Sequence, residues 1–261
     1  MNTAPVQTES PVISNDPVLP GACLLWLRAP EIASIARPGQ FVMLKCAGGA
    51  FLRRPLSIHR VSSDKTCLAF LFAAVGKGTA WLAELKPGDR LNLLGPLGNG
   101  FQIESKLKVA VLVAGGLGIA PLSFLADELM AQGTRVSFLY GAATTALLCP
   151  NRLLPKVTEW ALVTEDGSCG QRGFVTTYLP GYLTGNAALF GCGPTPMYRA
   201  LARLDELQGK AMQVSLEIRM ACGLGVCYGC TVNTRQGLRQ VCHHGPVFKM
   251  DDIVWEELAD I

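Results

Sequence analysis

With 261 residues, 49% of them hydrophobic, the chain can bury ordinary cores and has room for one large domain or two to three small ones. A net charge of only +3, with no block of like charges, excludes the electrostatic footprint of a nucleic-acid or anionic-membrane binder. No run of eighteen apolar residues exists, so no membrane span is expected.

The first twenty residues, MNTAPVQTESPVISNDPVLP, are rich in Pro, Ser and Thr and lack an apolar stretch preceded by basic residues. They read as a flexible or edge-strand start rather than a signal peptide. From about Leu24 to Phe101, short apolar segments recur at roughly ten-residue spacing, separated by turn signals such as Pro38-Gly39, Pro87-Gly88 and Gly95-Pro96. That rhythm predicts a small antiparallel barrel with one helix over Gly78–Leu85. From Lys108 the pattern becomes strand–helix alternation, which predicts a parallel α/β sheet. After Lys210 the pattern changes again, to clustered cysteines and many glycines. Three zones are therefore expected, at residues 1–104, 105–210 and 211–261.

Ten cysteines without a secretory signal indicate a reducing, cytoplasmic setting. Six are scattered and read as core or incidental residues. The other four form Cys222-x4-Cys227-x2-Cys230-x11-Cys242, the spacing of plant-type [2Fe–2S] proteins. Two irons need four thiolates. Gly223, Gly225 and Gly229 let backbone N–H groups approach the cluster. Four thiolates also suit zinc, which would make the chain a zinc-stabilised binding module without a redox role. Zinc sites usually use two CxxC knuckles, and one is present here. Structural disulfides are the third reading.

Arg54-Pro55-Leu56-Ser57 ends an apolar strand, Gly78-Thr79 opens a helix, and Gly95–Phe101 is a glycine-rich turn. Together they suggest a flavin dinucleotide, with Arg54 on the pyrophosphate, Ser57 on the isoalloxazine and the Gly78-Thr79 amides on a phosphate. The order RPLS, GT, GPLGNGF, GGLGIAPL, FGCGPTPM is similar to the ferredoxin-reductase superfamily. SLEIRMACGLGVCYGC narrows the resemblance to the electron-transfer subunits of NAD-dependent (type B) dihydroorotate dehydrogenase. It runs from about Gly39 to Phe248, in the family's order.

The resemblance implies an FAD-binding barrel, an NAD-binding α/β domain and a small [2Fe–2S] domain. It implies FAD contacts at Arg54, Pro55, Leu56, Ser57, Leu71, Phe72, Ala73, Gly78 and Thr79, and cluster ligation by Cys222, Cys227, Cys230 and Cys242. Phe72-Ala73-Ala74 stands where the family often has a tyrosine and a more polar stretch, so main-chain contacts are expected there. The implied partner is an FMN-bearing catalytic subunit, in a heterotetramer of two subunits of each kind with the cluster near the subunit contact. Electrons would run from FMN through [2Fe–2S] and FAD to NAD+, in pyrimidine biosynthesis. A ferredoxin–NADP reductase complex or a sulfide dehydrogenase shares these motifs and is the alternative.

The nucleotide site is expected at the strand–turn–helix over Val111–Pro121, with Gly116 and Gly118, and at the second turn, Gly191-Cys192-Gly193. Glu165 and Asp166 close another strand. An acid there hydrogen-bonds free ribose hydroxyls and repels a 2′-phosphate, which favours NAD over NADP. Hydride transfer needs proximity more than acid–base groups, and no catalytic dyad is visible. His59 and His243, beside the flavin and cluster motifs, read as ordinary exposed histidines.

Overall fold

The computed structural model describes residues 4–47, 49 and 51–258. The N-terminal sheet contains β1 (Val6–Leu19), β2 (Ala22–Arg28), β3 (Phe41–Leu44), β4 (Arg54–Ser57), β5 (Arg60–Val61), β6 (Cys67–Ala73) and β7 (Arg90–Leu97). Their order is β4-β3-β7-β1-β2-β6-β5, antiparallel throughout, and the sheet curls until β4 lies against β6. Two short helices belong to it, α1 (Pro30–Ala33) and α2 (Lys77–Ala83).

From Val6 the opening segment is a strand, and it does not lie at the sheet's edge. β1 lies mid-sheet, pairing with β7 through Val6–Pro11 and with β2 through Val12–Leu19. Each half has a partner on one side only. Pro11 and Pro17, which cannot donate to a ladder, are therefore tolerated.

Alternation explains why these strands are apolar on both faces. Leu68, Phe70 and Phe72 of β6 fill the barrel with Leu25, Leu27, Val42, Leu44 and Leu93. Ala69 and Leu71, on the opposite face, join a second core with the next sheet.

That sheet contains β8 (Val109–Gly115), β9 (Arg135–Ala142), β10 (Glu159–Thr164), β11 (Gln171–Arg172), β12 (Ala188–Cys192) and β13 (Met212–Ser215). Beyond β13 come the hairpin β14 (Thr231–Thr234) and β15 (Gly237–Gln240), and then β16 (Val247–Lys249). The sheet order is β11-β10-β9-β8-β12-β13-β16, parallel except for β13–β16. Residues on both sides of position 210 thus share one sheet, and the cysteine-rich segment leaves it after Ser215 and returns at Val247.

Helices α3 (Ile119–Ala131), α4 (Val175–Tyr178), α5 (Thr195–Ala202) and α6 (Val241–His244) complete the fold. α3 lies between sheet and barrel, with Phe124 in the barrel core. His59, expected at the surface, is 1% exposed beneath this helix, and its Nδ1 lies 3.0 Å from the Ala120 carbonyl. Arg60 pairs with Asp127 of α3 at 3.0 Å on the same contact. No helix among the described residues is long and apolar enough to cross a membrane.

Candidate functional site

β4 is held by β3 in the register Phe41–Ser57, Val42–Leu56, Met43–Pro55 and Leu44–Arg54, and all four β4 residues remain partly accessible. The Arg54 side chain crosses the start of α2: a Cβ on Gly78 would lie 2.6 Å from the Arg54 Nε. The glycine is what lets the guanidinium reach the helix's first turn. Thr79 Oγ1 accepts the N–H groups of Val75 and Gly76 at 3.0 and 3.1 Å, so this hydroxyl builds the turn itself. RPLS and the GT pair, about twenty residues apart in the chain, thus form one cradle that joins a cation to main-chain N–H groups.

Leu71 and Phe72 bury their side chains and can offer a ligand little but backbone. β5 pairs with β6 only at Leu68 and Ala69, so the edge of β6 from Phe70 to Ala73 that faces away from β2 carries no strand. That open edge suits main-chain hydrogen bonds to a flavin ring, and it lies next to the Gly116–Gly118 turn. The barrel residues present therefore fit a flavin dinucleotide.

A cavity of about 920 Å³ opens at the carboxyl ends of the parallel strands, where open α/β sheets bind ligands. One half is lined by Gly115–Gly118, Gly193–Met197, Tyr198, Leu216 and Glu217, and it borders the flavin strand. The other half is lined by Ala142, Ala143, Leu147, Glu165, Phe174 and Thr176. Among the described residues no Arg, Lys or His lines it, whereas two carboxylates do.

The two turns at the flavin end are in backbone contact. A Cβ on Gly118 would lie 2.0 Å from the Cys192 carbonyl oxygen, and one on Gly115 would lie 2.9 Å from Pro194 Cδ. Gly191 and Cys192 sit behind this wall rather than in it. Cys192 is fully buried, and burial pushes its thiol well up. Asp166 does not line the cavity either. Its carboxylate accepts the Ser168 N–H and hydroxyl at 2.9 and 2.6 Å, and these bonds hold it below the usual carboxylate range. Glu217 lines the cavity and is exposed to solvent there.

The cysteine loop begins one strand away from RPLS. A Cβ on Gly223 would lie 2.6 Å from Met43 Cγ, and Met43 is the register partner of Pro55. The turn after β7 docks the loop's far end: Asn99 Nδ2 donates to the carbonyls of His243 and His244 at 3.0 and 3.1 Å. The four thiols meet two by two, Cys222 with Cys227 and Cys230 with Cys242. Among the described residues no three His, Cys, Asp or Glu side chains gather as ligands of a single ion.

Two irons, each taking two thiolates, ask for such pairs. Main-chain donors point at the sulfurs, Leu224 N–H at Cys222, Gly225 N–H at Cys242 and Gly229 N–H at Cys227. Burial raises the Cys222 thiol, but the amides and the neighbouring Cys227 outweigh it and bring it down to about 6. The donor set therefore fits a two-iron cluster. Cys227 is exposed, as are the apolar side chains of Leu224, Val226 and Tyr228 around it.

Residues 217–254 match the family model for the iron–sulfur cluster binding domain of dihydroorotate dehydrogenase B. A dihydroorotate dehydrogenase B (NAD+) electron transfer subunit from Desulforamulus reducens is 38% identical over 92% of this chain and 95% of its own length. The chain belongs to this family of electron-transfer subunits. A second member, from a Geobacillus strain, is 34% identical over 95% of this chain and 98% of its own. The structure of an NADH-dependent reduced ferredoxin–NADP oxidoreductase that bifurcates electrons at flavin superposes with a TM-score of 0.85 at 27% identity, covering 99% of this chain and 93% of the other. A ferredoxin–NADP+ reductase from Neisseria gonorrhoeae shares the fold at 19% identity, with a TM-score of 0.64 over 78% of this chain and 92% of its own.

For a member of this family, the sequence pointed to Gly116, Gly118, Gly193 and Glu165 but not to Gly141, Leu147, Gly173, Phe174, Tyr198, Glu217 or Leu258. Phe174 is 60% exposed at the cavity rim. An aromatic directly after Gly173, beyond the acidic turn, is the only local signal it leaves.

Proposed function

We propose that the chain is the subunit that takes electrons from the FMN of a dihydroorotate dehydrogenase catalytic subunit and passes them through a [2Fe–2S] cluster and FAD to NAD+, in pyrimidine biosynthesis. The observation that carries this reading is adjacency. The cysteine loop packs on Met43 of β3, β3 pairs with the RPLS strand, and the flavin edge of β6 borders the nucleotide cavity. The three sites form a row.

In this reading Cys222, Cys227, Cys230 and Cys242 hold the cluster. Arg54 neutralises the FAD diphosphate beside Gly78 and Thr79. Pro55, Leu56 and Ser57 face the ring, whose other contacts are the main chain of Leu71, Phe72 and Ala73. Bound FAD supplies the exchange between a hydride at the nucleotide and single electrons at the cluster. Gly116, Gly118 and Gly193 bring the nicotinamide close to the ring. Glu165 takes the adenosine ribose, and a wall whose described residues include no cation disfavours the 2′-phosphate of NADP.

The exposed side chains of Leu224, Val226 and Tyr228 around Cys227 suit burial against the catalytic subunit, in a cytoplasmic assembly of two subunits of each kind. The Cys227→Ala variant tests the route. With the catalytic partner present, it should keep NADH–dye activity and lose dihydroorotate–NAD+ activity. Turnover of dihydroorotate with NAD+ at the parent rate would remove the cluster from the path. Oxidation of dihydroorotate by this chain alone would remove the subunit reading.

A further inference from the structure

The chain's last described turn reaches back to the nucleotide cavity. Tyr198 of α5 is 2% exposed, and its hydroxyl donates to the Ser215 carbonyl at 2.6 Å and accepts the Gly193 N–H at 2.9 Å. It thereby joins the end of β13 to the turn after β12, two pieces of the cavity's flavin-side wall. Burial pushes the phenol well above its ordinary value, so it remains a donor at any working pH. Its ring stacks on Trp255, with centroids 4.9 Å apart and planes 22° from parallel. Trp255 is held in turn by its indole N–H on the Met250 carbonyl at 3.0 Å.

Arg199, the next residue of α5, donates to the carbonyls of Trp255 and Leu258 at 3.1 and 2.6 Å, and Leu258 itself lines the cavity. The same segment is tied to the hairpin that separates the last two cluster cysteines. Arg235 N–H donates to the Asp252 carbonyl, and Asn233 Nδ2 donates to Glu257.

We propose that Tyr198 is a positioning residue for the nicotinamide end of the nucleotide, and that the C-terminal segment completes the nucleotide site by holding Tyr198 against the Gly193 turn. The inference rests on the NAD reading above. The half of the cavity walled by Gly193 and Leu216 borders the flavin strand, whereas the adenosine end lies near Glu165 and Phe174. Loss of the hydroxyl leaves a part-buried N–H and a buried carbonyl without their shared partner, and such groups turn to other partners by shifting the backbone that carries them. The shift falls where the nicotinamide meets the flavin. The hydrogen bonds of Tyr198 to Gly193 and Ser215 both lie at the flavin end, so the adenosine end should feel the shift far less.

The test uses the full-length chain loaded with FAD and cluster, as parent, Tyr198→Phe and Trp255→Leu. Flavin reduction at saturating NADH is followed by stopped flow, and ADP-ribose, which lacks the nicotinamide, is titrated by calorimetry. Tyr198→Phe should slow reduction roughly tenfold, the effect of about one hydrogen bond at the reacting geometry, while ADP-ribose affinity stays within about twofold of the parent. Trp255→Leu, with the hydroxyl intact but its ring unsupported, should slow reduction by less and leave ADP-ribose affinity equally near the parent's.

Parent-like reduction in Tyr198→Phe overturns the proposal. Equal losses of ADP-ribose binding and reduction rate overturn it too, because they would mark a general collapse of the cavity. Parent behaviour in Trp255→Leu removes the C-terminal segment from the site. A parent chain that NADH does not reduce refutes the NAD reading itself, and this inference falls with it.

Discussion

His59 links the barrel to α3 as a neutral ring, and acid should break that link. Its Nδ1 lies 3.0 Å from the Ala120 carbonyl, which can only accept, so Nδ1 carries the proton. Burial first, and the neighbouring Arg60 second, lower its pKa from 6.5 to about 4. The folded chain therefore resists a proton that the unfolded chain accepts. Stability from this residue is complete above pH 6.5 and is lost as pH falls towards 4, because the unfolded state binds more protons across that window.

The difference between 6.5 and about 4 corresponds to about 3 kcal/mol once the window is crossed, of which about 2 kcal/mol is gone by pH 5. His59→Asn retains a donor near Ala120 and has no charge to gain. Urea unfolding of parent and variant at pH 7, 6, 5 and 4 reads the effect as a difference, in which the other titrating groups cancel. The parent should lose about 3 kcal/mol more than the variant between pH 7 and pH 4. Parallel curves would show that His59 is not held neutral at this interface.

Arg54→Ala removes a charge-assisted contact to the FAD diphosphate and should weaken FAD retention by about 10- to 100-fold with iron content unchanged, read as flavin occupancy after desalting. Gly78→Ala should mimic it, since the added methyl occupies the space of the Arg54 guanidinium. Gly118→Ala places a methyl 2.0 Å from the Cys192 carbonyl oxygen, so the two cavity turns must part. We expect a loss of about 1–3 kcal/mol in the melting transition together with loss of NADH binding. Gly116→Ala is the contrast: open space surrounds that position, its φ is 54°, and about 1–2 kcal/mol of backbone strain is the expected cost.

The sequence was most legible where chemistry dictates spacing or where one strand is buried on both faces. The four cysteines and the run from Val109 to Gly115 are of these kinds. β1 was read as a flexible or edge-strand start rather than a mid-sheet strand because its residues are largely half-exposed and it carries two prolines, although each half needs only one partner strand. β13 and β16 were missed because strands of four and three residues show no period.

His59 looked like a surface residue because nothing local says that α3 lies over it. The Gly95–Phe101 turn was legible as a turn, but the bonds from Asn99 to residues 144 and 145 positions away were not. Tyr198 illustrates the same limit: its partners come from a turn, a strand end and the far end of the chain, and no local motif encodes that meeting.

The cysteine-rich segment leaves the central sheet at Ser215 and re-enters at Val247, and these two residues are paired to each other. It is therefore a loop anchored at both ends to a rigid frame, not a carrier on a flexible tether. Under the proposed route, the gap between cluster and flavin is set by the frame, and no diffusive search by a swinging carrier precedes the electron's step. Mobile ferredoxin-like carriers gain reach and partner choice by giving up that fixed distance. On the proposed route this chain would keep the distance fixed and leave the choice of electron donor to the partner proposed to dock over Cys227.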